Sequence, residues 1–107
     1  MQTIDPEQLK HRLDDSTRTR PLLLDVREPW EFELCHIEDA RLLPMQQVPQ
    51  QARELADDAE IVVICHHGLR SAQVVQFLMR NGFKNVANLQ GGIDAWAERI
   101  DPAMRRY

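Results

Sequence analysis

Short apolar runs and longer amphipathic stretches alternate along the chain. The clearest run, 61–64, is Ile-Val-Val-Ile, and β-branched residues favour strands. A second run over 22–26 is apolar except for Asp25. Such short, nearly continuous apolar runs predict strands that are buried on both faces of a sheet. Weaker patterns predict two further strands, one over 41–44, which ends in a proline, and one over 85–89.

The stretches between these runs carry the signals of helices. Asp5 precedes Pro6, and Gln8 follows three residues after Asp5, which predicts a capped helix over 6–14 that begins with a capping box. A longer helix is predicted over 71–80. Its inner side is expected to carry four apolar residues, Val74, Val75, Leu78 and Met79. Three more helices are expected, one that starts near Pro29, one over 50–56 and one that opens at Gly91-Gly92.

Strands that alternate with helices at this spacing predict an α/β fold, with a parallel sheet and helices on both of its faces. Ligands bind such sheets beyond the carboxyl ends of the strands, where loops meet helix N-termini. The turn after the 61–64 strand is therefore the first candidate for a ligand-binding or catalytic site.

That turn contains a candidate nucleophile. Cys65 ends the strand, Gly68 allows a tight loop, and Arg70 and Ser71 lie at the start of the following helix. The helix dipole and the charge of Arg70 are expected to favour the Cys65 thiolate. The backbone N–H groups of such a loop form a concavity that binds anions. A nucleophilic sulfur there suits attack on a sulfur or phosphorus centre that bears anionic oxygens.

The alternative is that Cys65 is a small buried residue that ends a strand, as many cysteines are. Arg70 five positions later and the strand–loop–helix context favour the nucleophile. His66 and His67 flank the thiol, and imidazoles titrate near neutral pH. Because a thiolate that is already stabilised needs no base, these histidines are expected to line the loop and tune its charge.

Composition and charge narrow the classes of function. The 107 residues suit one domain that spans residues 1–107. Seventeen acidic against thirteen basic side chains give a net charge of −4, which argues against a general nucleic-acid binder. The longest apolar run, 61–65, is far too short to cross a membrane, and no secretory signal is visible. The expectation is a cytoplasmic protein with reduced thiols at Cys35 and Cys65.

Neither a metal nor another cofactor is expected. The pairs Cys35-His36 and Cys65-His66 are adjacent residues, whereas zinc ligands are usually separated by two to four residues. Gly91-Gly92 before a helix resembles a phosphate loop only weakly, and a turn that needs positive φ explains it better. Trp30 and Trp96 are expected to pack in the core or at its rim.

Four segments together resemble the single-domain rhodaneses, a family of sulfurtransferases. They occur in the family's order and spacing: Asp25-Val26-Arg27-Glu28, Cys35-His36-Ile37-Glu38-Asp39-Ala40, Cys65 to Ser71, and Leu89-Gln90-Gly91-Gly92-Ile93-Asp94-Ala95-Trp96. The resemblance implies a sheet of about five parallel strands, and it implies that Cys65 carries sulfane sulfur as a persulfide. The substrate-binding loop would comprise His66, His67, Gly68, Leu69, Arg70 and Ser71. Its amides would hold the outer sulfur, and Arg70 would orient the loop or the departing anion.

One segment departs from the family pattern. The family usually has Gly-His-Ile-Pro-Gly-Ala where this chain has Cys35 for the first glycine and Glu38-Asp39 for Pro-Gly. This puts the conformation of that turn in doubt. Cys35 is expected to be a small buried residue, and the alternative is a second thiol that resolves the persulfide. Asp25 and Arg27 are expected to support the site as a buried ion pair or by holding the loop.

The sequence therefore predicts a sulfurtransferase. It would move sulfur from thiosulfate or a persulfide donor, through Cys65, to a thiol, cyanide or a protein acceptor. The last eight residues resemble the tail of rhodanese domains joined to enzymes that activate ubiquitin-like sulfur carriers, which makes such a carrier a candidate acceptor. Two alternatives stay open: a cysteine-dependent phosphatase or arsenate reductase, and a non-catalytic module that binds persulfides or docks a partner.

Overall fold

A computed structural model describes residues 2–107 and contains one sheet of five parallel strands. The strands are β1 (Gln2–Ile4), β2 (Leu22–Asp25), β3 (Arg41–Leu42), β4 (Ile61–Ile64) and β5 (Val86–Leu89). Their order across the sheet is β1-β5-β4-β2-β3, so β4 lies at the centre. This architecture confirms the predicted α/β fold with a parallel sheet.

Residues 2–107 form five α-helices, of which the first four connect successive strands. They are α1 (Pro6–Asp14), α2 (Pro29–Leu34), α3 (Val48–Gln51), α4 (Leu69–Arg80) and α5 (Gly92–Arg99). In α1 the predicted capping box is present: the Gln8 backbone N–H donates to Asp5, and the Gln8 side chain accepts from the Asp5 N–H. Among the residues described, no helix has the length and apolar character needed to span a bilayer.

The sheet separates two hydrophobic cores. Ile61 and Val63 of β4 face one core, and Val62 and Ile64 face the other, as the alternation of side chains along a strand requires. The first core is completed mainly by α4, through Val74, Val75 and Leu78. The second is completed by Leu9 of α1 and by Ile93 and Trp96 of α5. Burial on both faces is what the continuous apolar run of β4 predicted.

Besides shifts of one or two residues at the ends of elements, three details differ from the sequence prediction. The edge strand β1 has no counterpart among the predicted elements, because two of its three residues are exposed and it carries no apolar run. Instead of a continuous helix over 50–56, α3 ends at Gln51 and a 3₁₀ turn over Ala52–Glu54 follows. Met79 was predicted on the inner side of α4 but is 47% exposed, since it lies at the edge of the helical stripe that Leu78 and its buried neighbours form.

The register of the sheet brings the candidate residues to one edge. Asp25, the last residue of β2, pairs with Ile64, the last residue of β4. The chain segments that leave β2 and β4 therefore start side by side, with Cys65 on one and Val26-Arg27 on the other. The turn before α5 lies next to them, because Leu89 ends the neighbouring strand β5.

Candidate active site

Cys65 lies at the bottom of a tight loop between β4 and α4, and its side chain is buried, with 1% of the residue exposed. We call residues 65–71, which are this loop together with the first three residues of α4, the Cys65 loop. The Gly68 backbone N–H donates to Cys65 Sγ at 3.0 Å, and the Ser71 hydroxyl lies 3.2 Å from the same sulfur. Gly68 has a φ of +106°, which glycine adopts without strain. The loop therefore presents one backbone N–H and one hydroxyl group to the thiol.

Asn88 holds the two residues that contact the sulfur. Its side-chain oxygen accepts a hydrogen bond from the Ser71 hydroxyl, and its Nδ2 donates to the Gly68 carbonyl oxygen at 3.0 Å. Asn88 lies on β5 and is buried. Because the Ser71 proton points to Asn88, the Ser71 oxygen is free to accept from the Cys65 thiol, and the hydroxyl can turn to donate once the thiol ionises.

Arg70 is bound to a carboxylate on α2. Its two terminal nitrogens donate to the two oxygens of Glu31, each at 2.8 Å. Glu31 is only 3% exposed and also accepts from the Tyr107 hydroxyl at 2.7 Å and from the Glu28 backbone N–H at 2.8 Å. The hydrogen bonds from Arg70, ahead of those from Tyr107 and Glu28, lower the pKa of Glu31 to about 2. The guanidinium of Arg70 thus anchors the start of α4 to α2.

The buried ion pair predicted for Asp25 and Arg27 is present. Arg27 Nε and Nη2 donate to the Asp25 carboxylate at 2.8 and 2.7 Å, and both residues are fully buried. Burial opposes the charge of Arg27, but the hydrogen bond and the charge of Asp25 more than offset it, so the pKa of Arg27 is raised. Arg27 also donates to the Cys35 carbonyl oxygen at 2.7 Å and to the Tyr107 hydroxyl at 3.0 Å. The pair therefore ties the end of β2 to α2 and to Tyr107.

An aromatic row runs along the rim of the Cys65 loop. The His66 ring stacks on Tyr107 with 3.8 Å between centroids and on His67 with 3.9 Å, and the exposed Trp30 packs edge-on against Tyr107. Burial, followed by the nearby His67, lowers the pKa of His66, which favours a neutral imidazole at pH 7. Trp30 thus lies at the rim, as predicted, while Trp96 is buried.

Within residues 2–107, one group of side chains is compact enough to be considered as a metal site. His66, His67 and Asp94 each bring one ligand atom within 4.8 Å of the others. The two imidazoles are stacked at 24°, so their in-plane lone pairs run side by side instead of converging on one point. Asp94 is engaged by Arg106, whose hydrogen bond lowers the pKa of this carboxyl. The donor geometry does not fit a bound metal ion.

The glycine pair before α5 brings that helix against the Cys65 loop. Gly91 and Gly92 have φ values of +77° and +63°, as predicted for this turn. A Cβ on Gly92 would lie 2.5 Å from the Cys65 carbonyl oxygen and 2.4 Å from that of His66. The first amides of α5 donate to these same oxygens, Ile93 to Cys65 at 2.8 Å and Asp94 to His66 at 3.1 Å. The helix N-terminus therefore fixes the backbone of Cys65 itself.

The turn at Cys35 to Ala40 contains a residue with positive φ that is not a glycine. Asp39, which stands where the family that the chain resembles usually has its second glycine, adopts a φ of +69°. Cys35 is extended, with a φ of −166°, which any residue tolerates, and its side chain is buried as expected. Both cysteines are free thiols, and Cys35 Sγ lies 3.8 Å from Arg27 Nη1.

Three residues of the site were missed by the sequence analysis: Glu31, Asn88 and Tyr107. Polar residues between apolar neighbours are a signal for Asn88 and Glu31, because burial of such groups requires partners. No local pattern points to Tyr107. An open groove at the opposite edge of the sheet, between β1, α1 and Glu60, contains none of the predicted site residues.

Comparison with known proteins agrees with this geometry. The family model of the Rhodanese-like domain matches residues 5–99. A protein named "Sulfurtransferase" from Allochromatium vinosum is 43% identical over 94 residues, which cover 88% of this chain and 86% of that protein. "Thiosulfate sulfurtransferase GlpE" of Vibrio cholerae is 35% identical over 74 residues, 69% of this chain and 70% of its own.

Another relative is much longer than this chain. "Probable adenylyltransferase/sulfurtransferase MoeZ" of Mycobacterium tuberculosis is 36% identical over 107 residues, which are 98% of this chain but 27% of that protein. Among solved structures, a rhodanese-like domain protein from Staphylococcus aureus superposes with a TM-score of 0.85 at 30% identity, covering 100% of this chain and 99% of that one. The fold, the arrangement around Cys65 and these matches lead to one conclusion: the chain belongs to the rhodanese-like domain family.

Proposed function

We propose that the protein is a sulfurtransferase in which Cys65 carries sulfane sulfur as a persulfide. The observation that supports this most directly is the environment of Cys65 Sγ, which receives the Gly68 N–H at 3.0 Å and lies 3.2 Å from the Ser71 hydroxyl. The Gly68 N–H stabilises an anionic sulfur, and the Ser71 hydroxyl does so once it turns to donate. Relatives named as sulfurtransferases, one of them a thiosulfate sulfurtransferase, support the same reaction class.

In the first step, the Cys65 thiolate attacks the outer sulfur of thiosulfate. A new S–S bond forms at Cys65, and the S–S bond of thiosulfate breaks. Sulfite leaves with that bond's electron pair, so the three negative charges of the reactants are divided between a persulfide anion and the sulfite dianion. A persulfide donor reacts in the same way and releases a thiolate. The loop amide at Gly68 and the N-terminus of α4 stabilise the anionic sulfur.

In the second step, a nucleophile attacks the outer sulfur of the Cys65 persulfide. The persulfide bond breaks, its electron pair returns to Cys65 as a thiolate, and the acceptor leaves with one more sulfur. Cyanide or a thiol can accept in this way. The likeness of nearly the whole chain to part of an adenylyltransferase/sulfurtransferase supports a protein acceptor, such as a ubiquitin-like sulfur carrier. Such a carrier takes the sulfur by a different route: the outer persulfide sulfur attacks its activated carboxyl carbon and displaces the leaving group. A thiol then attacks the Cys65 sulfur, forms a disulfide with it and releases the thiocarboxylate.

Intact mass spectrometry after thiosulfate treatment of the reduced protein tests this proposal. We expect the mass of one added sulfur atom on the wild type and on Cys35→Ser, and none on Cys65→Ser. Cys35→Ser is the matched control because Cys35 is the other buried free thiol. Absence of the adduct on the wild type, with polysulfide as well as thiosulfate, would count against sulfur transfer.

The two alternative functions are less well supported. A phosphatase or arsenate reductase needs an arginine that faces the bound anion, whereas Arg70 gives both terminal nitrogens to Glu31. Only four residues separate Cys65 from Arg70, one fewer than in such phosphatase loops. A non-catalytic docking module would still bind its partner after Cys65→Ser, whereas a sulfurtransferase would lose its activity.

A further inference from the structure

Tyr107 is far from the Cys65 loop in sequence, but its side chain contacts residues on two sides of that loop. Its hydroxyl donates to Glu31 Oε1 at 2.7 Å and accepts from Arg27 Nη1 at 3.0 Å. Its ring lies flat on the ring of His66, with 3.8 Å between centroids and 9° between planes. One side chain therefore combines a hydrogen-bonding end and a packing face at the same site.

The hydroxyl reaches the loop through the Glu31 carboxylate. Oε1 accepts from Tyr107 and from Arg70 Nη2, and Oε2 accepts from Arg70 Nη1 and from the Glu28 backbone N–H. With two donors on each oxygen and almost no exposure, this carboxylate cannot rotate without the loss of a hydrogen bond. Its orientation fixes Arg70, which is the second residue of α4.

The ring restrains the other end of the loop. His66 directly follows Cys65, and its ring lies between those of Tyr107 and His67. Removal of the Tyr107 ring would leave one face of His66 without a partner. The His66 side chain would then lose one of the two rings that hold it in place.

We propose that Tyr107 is a positioning residue for the Cys65 loop, with its ring acting on His66 and its hydroxyl acting through Glu31 on Arg70. Gly68 lies between His66 and Arg70 in the chain. Its N–H must point at Cys65 Sγ for the 3.0 Å hydrogen bond to form. When either restraint is removed, the loop samples conformations without that bond. The thiolate then loses stabilisation, and its attack on a sulfur donor is slower.

The experiment compares Tyr107→Phe, which keeps the ring, with Tyr107→Ala, which removes both contacts. The first readout is the pH at which alkylation of Cys65 by iodoacetamide is half-maximal, followed on the Cys65 peptide by mass spectrometry. The second is the rate of persulfide formation on Cys65 with thiosulfate. Leu13→Ala is the control for lost packing, because Leu13 is partly buried against the same core as Tyr107 but is outside this network.

We expect Tyr107→Ala to move the alkylation midpoint to higher pH and to slow persulfide formation about tenfold, with Tyr107→Phe between it and the wild type. Leu13→Ala should lower the melting temperature but leave both readouts within about twofold of the wild type. If Tyr107→Ala fails to fold, Tyr107→Phe alone decides, since it retains the stacked ring.

The proposal is overturned if folded Tyr107 variants keep both readouts within twofold of the wild type. It is also overturned if Leu13→Ala shifts them as far as Tyr107→Ala does. The rate readout rests on the proposed sulfur transfer, whereas alkylation does not. If the wild type accepts no sulfur, the function fails, and the alkylation midpoints still decide the role of Tyr107.

Discussion

At the scale of single residues, the site depends on buried polar groups that satisfy one another. Asp25 and Arg27 are fully buried, and Glu31 and Asn88 nearly so, and all have side-chain hydrogen bonds. A buried charge without a partner is costly, so removal of one member of such a network destabilises the protein more than loss of an exposed ion pair does.

The effect of Glu31→Gln on the free energy of unfolding, followed as a function of pH, tests this network. The folded-state pKa of Glu31, about 2, lies below its ordinary value of 4.5. The ionised carboxylate therefore stabilises the fold above pH 4.5, and this contribution is lost as the pH falls toward 2. We expect Glu31→Gln to be less stable than the wild type at pH 7, and the difference to shrink between about pH 5 and pH 2.

Urea unfolding at a series of pH values measures that difference. Glu33→Gln is the matched control, because Glu33 is exposed on the same helix. An undiminished difference at pH 2 for Glu31→Gln would contradict the assignment of the stabilisation to the carboxylate charge.

At the scale of elements, the contact between α5 and the Cys65 loop depends on the missing side chain of Gly92. Gly92→Ala would place a methyl group against two carbonyl oxygens that cannot yield without breaking the amide hydrogen bonds of α5. We expect a loss of about 2 kcal/mol or more in the free energy of unfolding.

Gly82→Ala separates steric overlap from backbone strain. Gly82 has a φ of +92°, but a Cβ there would meet nothing within 4 Å. It should therefore cost only the strain of a left-handed alanine, about 1 kcal/mol. Denaturant unfolding measures both variants. If Gly82→Ala and Gly92→Ala lose the same free energy of unfolding, the close approach of α5 to the Cys65 loop does not account for the cost of Gly92→Ala.

The turn after α2 allows a second test at this scale. Asp39 holds a φ of +69°, which aspartate tolerates better than a β-branched residue does. Asp39→Val should destabilise the protein by about 1–2 kcal/mol, while Asp39→Gly should be tolerated. Glu38→Val, at the exposed neighbouring position, controls for the added apolar surface. A Glu38→Val loss as large as that of Asp39→Val would contradict the conformational explanation.

At the scale of the whole molecule, the strand order decides which loops meet. Because β4 lies between β2 and β5, the segments that carry Cys65, Arg27 and Gly91-Gly92 leave adjacent strands at the same edge. The α2 helix and the segment of Tyr107 then close the site from the side of β2. Residues separated by up to 80 positions thereby form one network around the loop.

Much of this arrangement could be predicted from sequence, because its signals are local. The apolar run of β4, the capping box at Asp5 and Gln8, and the position of Cys65 between a strand and a helix each depend on a few neighbouring residues. The turn at Gly91-Gly92 belongs to the same class. The role of Cys65 in sulfur transfer stays a prediction until sulfur uptake is measured.

The sequence by itself determined the order of most strands and helices and the loop that contains the candidate nucleophile. Only the tertiary structure decided that Arg70 binds Glu31, that Asn88 holds Ser71 and Gly68, and that Tyr107 contacts His66. The same holds for β1, which forms an edge strand by pairing with β5. The physical reason is range: hydrophobic periodicity and capping act over a few residues, whereas partners for buried polar groups are set by sheet register and helix packing.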